Sequence, residues 1–411
     1  MNNRFLLTIL GFAALLGTSC SDMSKINKRS NLNNALVKNQ LVDDKAASPE
    51  IIHVDLEKKS ARASELLDIS AVTYLDNSQL LGKADKVIYS TDRLYVLDKK
   101  LSESVFCYDL KGKLVFKLSD KGKAPREFQG LYDITVDNQN GNLLVYDGRK
   151  ILYYNKDGAF IKEKRYDVFG KNIACLHNGD LIFSTGNTAW NNDLMYNLIT
   201  VDTTLKITSK NFKLEEKDLK NSWSPWFYMQ QRNEEVYYTD YFNDTTFKIS
   251  NKKISPQFVM DYGKYKVPNG LKQQIATGQM ERDEHYIYGR VVSWQNATTF
   301  FNFGSGLNGF VSSYYDKRKK KVRSYFTIVD DLFFNALNPV PVGVNGDQMV
   351  YSIDPAMLHD LYDVLRRNDP AKLADLSKRP KNQVMMDIIK NTKVDSNPIL
   401  ISANIKESFY E

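Results

Sequence analysis

Cysteine and histidine are scarce in this chain, and their scarcity excludes several classes of protein. Three cysteines in 411 residues cannot build a disulfide framework. The four histidines lie far apart and form none of the short-spaced pairs that zinc hydrolases require. The sequence also lacks a Gly-x-Ser-x-Gly elbow, a P-loop and an Asp/Asn metal-binding loop. No motif therefore predicts a catalytic residue, a metal or a cofactor.

A concentration of charge and a long apolar run are missing as well. The 56 basic and 49 acidic residues leave a net charge of +7, which is spread along the chain. Nucleic-acid binding would require a basic stripe, so nucleic acid is not an expected partner. The apolar run at residues 5–16 is too short to cross a bilayer as a helix.

That run belongs to an N-terminal sorting signal. Arg4 precedes it, and the small residues 17–19 lead into Cys20. The arrangement resembles a bacterial lipoprotein signal, in which the cysteine becomes the lipidated first residue of the mature protein. Gly17 stands where such signals usually carry leucine, and an ordinary secretory signal with an incidental cysteine is the alternative. We predict a signal peptide over residues 1–19 and lipid attachment at Cys20.

Residues 20–50 are rich in Asn, Lys, Ser, Asp and Ala and contain few large apolar side chains. This composition predicts a flexible tether between the lipid anchor and a folded domain. We expect a cell-envelope protein attached to the outer membrane, on a face that the sequence leaves open.

From residue 51 onward, short alternating apolar segments are separated by turn residues. Segments 88–97 and 105–116 read as hairpins around turns at 90–93 and 109–112. Asp98 recurs as Asp147 after 49 residues, and the later hairpin of each unit repeats at a similar distance. A period of about 40–50 residues built from four strands indicates a β-propeller. We predict an all-β domain over residues 51–411, a six-bladed β-propeller with small helical insertions.

Helical patterns interrupt the repeat at about 264–289 and 355–396. Asp354 and Pro355 form an N-cap followed by proline at the first helical position. These insertions predict braces over one end of the propeller, with a role in shaping a ligand cleft as the alternative. For ring closure we expect the strand at 51–56 to share a blade with the strand at 399–405, because an open ring would expose two edge strands.

Several segments resemble a known family. Residues 145–158 look like an NHL-type propeller repeat. The wider pattern resembles the six-bladed β-propeller lipoproteins of Bacteroidetes, at residues 122–128 (GKAPREF), 244–249, 260–268 and 397–401. Ala124 replaces a glycine of that family's usual Gly-x-Gly-Pro-x-Glu-Phe. The resemblance implies the fold and an envelope location and no particular activity.

Loops between blades carry the candidate binding residues, since propellers place functional groups at the mouth of the axis. The charged and aromatic candidates on these loops are Arg126, Glu127, Asp147, Arg149, Asp240, Tyr241 and Asp244. Aspartates and arginines of this kind also pair between blades or cap turns, so both interpretations stay open.

Tryptophans form a second group of candidates. Trp190, Trp223 and Trp226 lie in polar stretches, where an aromatic face can stack on a sugar ring. Plugging between blades is the alternative. The basic segment 317–321 predicts a solvated hairpin tip. Cys107 and Cys175 read as buried small hydrophobes, and whether they pair is left open.

Three functions remain. The favoured one is a non-catalytic binding module that presents a propeller face to a glycan, peptide or envelope partner. The alternative is an envelope hydrolase or lyase with carboxylates at the axis, with or without calcium. The third is a scaffold within an outer-membrane assembly.

Overall fold

The computed structural model describes residues 48–411 except 57–59, 167, 189–193, 216–224, 233, 251–252, 277–278, 280–284 and 308. Cys20, Trp190 and Trp223 lie outside the described residues, as do the predicted signal peptide and most of the predicted tether.

Antiparallel four-stranded sheets follow one another along the chain, and the first three use consecutive strands. Sheet 1 contains Lys86–Tyr89, Leu94–Asp98, Ser104–Tyr108 and Leu114–Leu118. Sheet 2 contains Asp133–Val136, Leu143–Tyr146, Lys150–Tyr154 and Phe160–Arg165. Sheet 3 contains Asn172–Cys175, Leu181–Ser184, Tyr196–Val201 and Ile207–Lys213. The first strand of each sheet is called its inner strand.

Sheets 4 and 5 continue the order. Sheet 4 contains Met229–Arg232, Glu235–Thr239, Thr245–Ser250 and Lys253–Asp261. Sheet 5 contains Ile287–Gln295, Thr299–Gly306, Gly309–Asp316 and Lys321–Tyr325. Sheet 6 combines the two ends of the described chain, in the order Gly343–Asn345, Gln348–Ile353, Ile399–Ile405 and Leu67–Tyr74. The predicted all-β propeller with small helical insertions is confirmed as a fold class.

The strand that closes the ring differs from the predicted one. Leu67–Tyr74 pairs with Ile399–Ile405, from Ile399 opposite Tyr74 to Ile405 opposite Leu67. The predicted partner at 51–56 instead runs beside sheet 4, where Glu50–His53 pairs in parallel with Lys253–Asp261. Both N-terminal segments alternate apolar and polar residues, so local pattern alone does not tell which of them reaches the C-terminal strand.

Burial explains why the inner and middle strands read as nearly continuous apolar runs. All five residues of Leu94–Asp98 and of Ser104–Tyr108 are buried, because a neighbouring sheet covers each face. The outer strand Phe160–Arg165 has no fully buried residue. In sheets 1 and 2, burial is therefore lower on the outer strand than on the middle strands.

The repeat noticed in the sequence is a hairpin between the third and fourth strands of a sheet. Asp109 accepts backbone hydrogen bonds from Lys111 and Lys113, and Gly112 has a φ of 87°. Asn155 and Gly158 repeat this turn in sheet 2, with a φ of 86° at Gly158. In sheet 3 the glycine position is Leu205, at a φ of 71°. Sheet 3 therefore has the same turn geometry, although leucine stands at the position that glycine takes in sheets 1 and 2.

The inner strands face one another around a common axis. The inner strand of sheet 6 pairs in parallel with that of sheet 1, at Gly343–Val87 and Val344–Ile88. We call the end of the ring that carries the connections between sheets, and the loops between second and third strands, the upper face. The other hairpins form the lower face. Antiparallel order places every loop of one kind at the same end.

Both helical insertions lie on the upper face. The helix Asn269–Ala276 follows a 3₁₀ turn at Gly263–Tyr265 in the connection from sheet 4 to sheet 5. It lies within the predicted insertion at 264–289, whose last residues belong to the first strand of sheet 5, Ile287–Gln295. The larger insertion joins the second and third strands of sheet 6. It contains the helices Pro355–Asn368, Pro370–Lys378 and Gln383–Asn391, with a 3₁₀ turn at Pro380–Asn382.

Local chemistry explains where the larger insertion starts and how it packs. The Asp354 side chain accepts a hydrogen bond from the Ala356 N–H, with Pro355 at the first helical position, as predicted. Leu358, Met385 and Ile388 are fully buried against the core of sheets 5 and 6. These apolar side chains hold the helices against the propeller.

The N-terminal segment forms a strap along sheets 4 to 6. In and after Glu50–His53, the side chains of Ile52, Val54 and Leu56 are buried against aromatic residues of sheets 4 and 5. Ser60–Arg62 then pairs in parallel with Thr327–Val329, and the helix Ala63–Leu66 leads into the closing strand. The chain ends in a 3₁₀ turn at Glu407–Tyr410.

Candidate functional site

A buried polar network joins the inner strands of the first sheets at the upper end of the axis. The Lys86 Nζ donates hydrogen bonds to the Asp133 carboxylate at 2.7 Å and to the Ile134 carbonyl at 2.9 Å. Asp133 also accepts from the Asn172 Nδ2 at 3.1 Å, and its side chain is fully buried. The Asn172 Oδ1 accepts from the Tyr228 N–H of sheet 4 at 3.0 Å. Four successive sheets are thus linked by one hydrogen-bond network, in which the bonds made by Lys86 and Asp133 are charge-assisted.

Side chains cross the axis at two levels. The Lys86 Nζ of sheet 1 lies 5.4 Å from the ring centre of Phe227, which precedes the inner strand of sheet 4 on the opposite side of the ring. Below this, the Gln231 side chain of sheet 4 reaches sheet 2, where it accepts from Thr135 and donates to the Val136 carbonyl at 2.9 Å. The axis is therefore filled by side chains at these levels.

The upper end of the axis is lined by what we call the axial mouth: Lys99, Tyr132, Lys171 and Phe227. The Lys99 Nζ lies 5.8 Å from the centre of the Tyr132 ring. Lys99 and Lys171 are half-buried, and burial is the main cause that lowers the pKa of each. This mouth combines desolvated cations with half-exposed aromatic rings.

The candidates of sheet 2 take part in loop structure, next to Gly148, which lies against the Tyr132 ring. The Asp147 side chain is buried and accepts backbone hydrogen bonds from Arg149 and Lys150, so it caps its own turn. Arg149 is exposed next to it. The interpretation of Asp147 as a turn cap therefore has direct geometric support, and its role in binding stays a prediction.

Arg126 and Glu127 belong to the GKAPREF segment, which folds over the outer strands of sheet 2. The Glu127 carboxylate accepts a hydrogen bond from the Ala124 N–H at 2.9 Å. Arg126 is exposed at a φ of 72°, with its guanidinium 5.1 Å from the Phe160 ring centre. Phe128 is buried between sheets 1 and 2. The segment is a closed loop anchored by that phenylalanine.

The candidates of sheet 4 diverge toward the two neighbouring sheets. Asp240 accepts a hydrogen bond from the Asn197 Nδ2 of sheet 3 at 3.1 Å. The Tyr241 hydroxyl, in contrast, bonds to Ser305 of sheet 5 at 2.8 Å, and the tyrosine is buried. Asp240 therefore links sheet 4 to sheet 3, and Tyr241 links sheet 4 to sheet 5.

Asp244 and Trp226 also face sheet 5. Asp244 pairs with Lys266 at 2.9 Å and lies 3.7 Å from the Lys272 ammonium group. Trp226 is 50% exposed, and its ring centre is 6.1 Å from that of Phe303. Trp226 is thus an accessible aromatic ring on the upper face, as its predicted role requires.

The buried polar network and the axial mouth were missed in the sequence because no short motif contains their residues. One signal was available for the network: sheets 1, 2 and 3 each begin their inner strand with a polar residue before an apolar one, at Lys86, Asp133 and Asn172. In a propeller, equivalent positions of successive repeats meet at the axis. Aligning the repeats at this position would have brought the three residues together.

Both described cysteines are free. Cys107 belongs to sheet 1 and Cys175 to sheet 3, and each is buried. Burial raises the pKa of both thiols to about 12, so they behave as small apolar side chains. Among the described residues, no group of three His, Cys, Asp or Glu side chains is arranged to hold a metal ion.

The ring of four-stranded sheets defines the chain as a β-propeller protein. Residues 73–404 match the family described as "Domain of unknown function (DUF4934)", and the chain belongs to that family. No curated protein matches the chain in sequence.

Three solved structures are similar to this chain to different degrees. A protein described as exported, from Bacteroides fragilis NCTC 9343, is similar with a TM-score of 0.71 at 19% identity, over 87% of this chain and 99% of that one. A duf4221 family member from Bacteroides vulgatus has a TM-score of 0.47 at 10% identity, over 83% of this chain and 99% of that one. BamB from Moraxella catarrhalis has a TM-score of 0.38 at 8% identity, over 71% and 86%.

The first of these similarities carries information about fold alone, because its sequence identity is low. None of the helices in the described part of the chain has the length and apolar character needed to cross a membrane.

Proposed function

We propose that the protein is a lipoprotein of the bacterial cell envelope, anchored to the outer membrane through Cys20, whose upper face binds a glycan or protein partner without catalysing a reaction. The signal-like sequence before Cys20 and the polar stretch at 20–50 support the anchor. The exported relative from Bacteroides supports the location. The Asp/Asn-x-x-Gly hairpins support the NHL-like character of the repeats.

The observation that carries the binding role is the asymmetry of the two faces. The upper face holds both helical insertions, the axial mouth and the accessible ring of Trp226. The lower face carries mainly tight hairpins closed by their own side chains, such as those at Asp109 and Asn155. Long loops on a rigid scaffold are where propellers and similar folds carry binding residues.

The position of Glu50, near the start of the described chain, supports an upper face that points away from the membrane. Glu50 pairs with Lys320 at 2.7 Å, and Lys320 belongs to a lower-face hairpin of sheet 5. An anchor reached through the residues before Glu50 would join the ring at the lower end. The upper face would then point away from the membrane, toward a partner.

The anchor is tested by metabolic labelling of the full chain with a clickable fatty acid. We expect label on the wild type and on Cys175→Ala, which keeps Cys20, and none on Cys20→Ala. The Cys20→Ala protein should also leave the membrane fraction. Label that persists in Cys20→Ala would refute lipidation at this residue.

The binding face is tested by screening the mature full-length protein, in detergent, against envelope polysaccharides and peptides. We expect Trp226→Ala to weaken binding about tenfold, because a stacked aromatic ring contributes on the order of 1 kcal/mol or more. Leu110→Ala is the matched control, since Leu110 is 46% exposed on a lower-face hairpin. Equal losses in both variants would exclude the upper face, and turnover of a bound ligand would favour a hydrolase or lyase.

A further inference from the structure

Two lysines of the axial mouth have no carboxylate within ion-pair distance among the described residues. Lys99 follows the second strand of sheet 1, and its Nζ faces the Tyr132 ring at 5.8 Å. Lys171 precedes the inner strand of sheet 3, and its Cδ lies against Gly186 next to the Tyr228 hydroxyl. Both side chains are half-buried, so each ammonium group has lost part of its hydration.

The nearby carboxylates are engaged elsewhere. Asp133 pairs with Lys86 at 2.7 Å. Asp85 accepts a hydrogen bond from the Lys99 backbone N–H and pairs with Lys83 at 3.2 Å. In the same way, the Asp240 carboxylate accepts from the backbone N–H of Tyr241 and from the side chains of Asn197 and Tyr238. The carboxylates closest to the mouth are thus committed to fold contacts.

The ammonium groups at this end of the axis also repel one another. Burial lowers the pKa of Lys99; the charges of Asp133 and Asp85 raise it in part, and the charge of Lys86 lowers it again. Burial likewise lowers the pKa of Lys171, where the charge of Asp240 acts in the opposite direction and the charge of Lys99 adds to the lowering. Each lysine is therefore close enough to the next for their charges to interact. The mouth concentrates positive charge in a partly water-excluded space.

Aromatic rings stand next to these charges. Tyr132 packs edge-on against Phe169, with ring centres 5.6 Å apart and planes at 85°. Phe227 lies across the axis, half-buried, beside Lys86. A ligand between the lysines would therefore lie beside aromatic rings as well as ammonium groups. Flat apolar faces next to cations suit a sugar ring that carries a carboxylate or a sulfate.

We propose that the axial mouth binds an acidic sugar, with its carboxylate or sulfate between Lys99 and Lys171 and its ring against Tyr132 and Phe227. This inference rests on the proposed binding function and specifies its ligand class. The carboxylates of Asp133, Asp85 and Asp240 act on these lysines without an ion pair among the described residues. The bound anion would add a counter-charge in direct contact, and so offset part of the cost of desolvating the two cations.

Calorimetric titration of the mature full-length protein in detergent tests the proposal. The probes are oligogalacturonate, a sulfated oligosaccharide, a neutral galacto-oligosaccharide and inorganic sulfate. We expect one or both acidic sugars to bind, with an affinity that falls as salt is raised. Binding should weaken about tenfold in Lys99→Met or Lys171→Met, as expected for the loss of one charge-assisted hydrogen bond.

Charge-conserving and matched variants separate the roles. Lys99→Arg and Lys171→Arg should keep most of the affinity, because the positive charge remains. Lys266→Met is the control on the same face, since Lys266 is paired with Asp244 and Asp244 keeps Lys272 nearby. The melting temperature of each variant is measured first, so that loss of binding is not confused with loss of the fold.

The outcomes distinguish this inference from the proposed function. A neutral sugar that binds as tightly as the acidic ones, unaffected by the lysine variants, would overturn the inference and leave the binding function standing. Binding of inorganic sulfate with the same affinity as the sulfated sugar would overturn the sugar part. If Lys266→Met weakened binding as much as Lys99→Met, the assignment to the axial mouth would be wrong. Failure of every glycan and peptide to bind would count against both proposals.

Discussion

Arg290 in the wall between sheets 4 and 5 and the lysines of the axial mouth are all desolvated cations, but their surroundings differ. Arg290 is completely buried, and its guanidinium donates to Asn302 at 2.7 Å, Thr246 at 2.7 Å and Ser293 at 2.8 Å. Lys99 and Lys171 are less buried, yet their ammonium groups have no such acceptors among the described residues.

Arg290 is a cation whose hydrogen bonds are satisfied within the fold, whereas Lys99 and Lys171 are the cations that we propose bind an anion. Burial lowers the pKa of Arg290 to about 10, which leaves it charged at neutral pH. Its neutral acceptors come from two sheets and hold them together. A satisfied buried charge stabilises one packing arrangement, whereas an unsatisfied one stores electrostatic energy that an anion can release. The variants below test this distinction, beginning with a cation that has a full ionic partner.

Removing one partner of the Lys86–Asp133 pair should have the largest effect on stability. Lys86→Met leaves the fully buried Asp133 carboxylate without its cation, and we expect unfolding to become easier by about 3 to 5 kcal/mol. Adding Asp133→Asn should recover part of this loss, because the asparagine carries no charge. Urea unfolding of the single and double variants measures both changes. Equal stability of Lys86→Met and the wild type would mean that the pair does not hold the axis together.

Arg290→Met should have the next largest effect. It removes the donors that join sheets 4 and 5 and leaves buried oxygen atoms of Asn302 and Thr246 short of a partner. We expect a loss of about 2 to 4 kcal/mol in the free energy of unfolding. Arg290→Lys should fall between this variant and the wild type, since it keeps the charge but not the planar set of donors. If Arg290→Met were more stable than the wild type, Arg290 would not stabilise the fold and would resemble Lys99 and Lys171 in this respect.

The sequence allowed the fold class to be predicted, because spacing and turn residues are local properties. The hairpins at Asp109 and Asn155 are visible in the sequence through Gly112 and Gly158, and the same turn at Leu205 is hard to see because leucine replaces the glycine. The closing strand was predicted wrongly at 51–56, since its identity depends on a partner more than 300 residues away.

The candidate site was predictable only in part, for a related reason. Trp226 is accessible on the upper face, as the sequence suggested. Lys86, Lys99 and Lys171 meet only because the ring brings successive sheets to one axis, and none of them lies in a recognisable motif. Residues whose role depends on three-dimensional convergence leave no short pattern in a single sequence.

Lys99→Met and Lys171→Met should change stability little or in the opposite direction. Removing an unpaired, half-buried charge should leave the fold as stable as the wild type or stabilise it by up to about 1 kcal/mol. The part of any gain that comes from repulsion between the ammonium groups should shrink at high salt, where charges are screened. Thermal unfolding at two salt concentrations measures this. A loss of more than about 2 kcal/mol in either variant would show that the lysine serves the fold, as Arg290 does.

Lys317 shares properties with both kinds of cation. Its ammonium group has hydrogen-bond acceptors, as the Arg290 guanidinium does, and its side chain is half-buried, as those of Lys99 and Lys171 are. The sequence predicted a solvated hairpin tip at 317–321, but the Lys317 Nζ turns inward and donates to Gln295 at 2.7 Å and to the Asn296 carbonyl at 2.6 Å. Burial lowers the pKa of Lys317 to about 8, with the charge of Arg232 contributing.

The pH dependence of stability follows from this shift. Between pH 8 and the ordinary lysine pKa of about 10.4, the unfolded chain holds a proton that the folded chain has released, so stability rises with pH across this window. We expect the stability of the wild type relative to Lys317→Met to be higher at pH 10 than at pH 7, with each protein measured by urea unfolding. Subtracting the variant removes the contributions of the other lysines and tyrosines. The stability difference between the wild type and Lys317→Met could also stay constant with pH. In that case the hydrogen bonds to Gln295 and Asn296 compensate for the desolvation of Lys317, and burial does not lower its pKa.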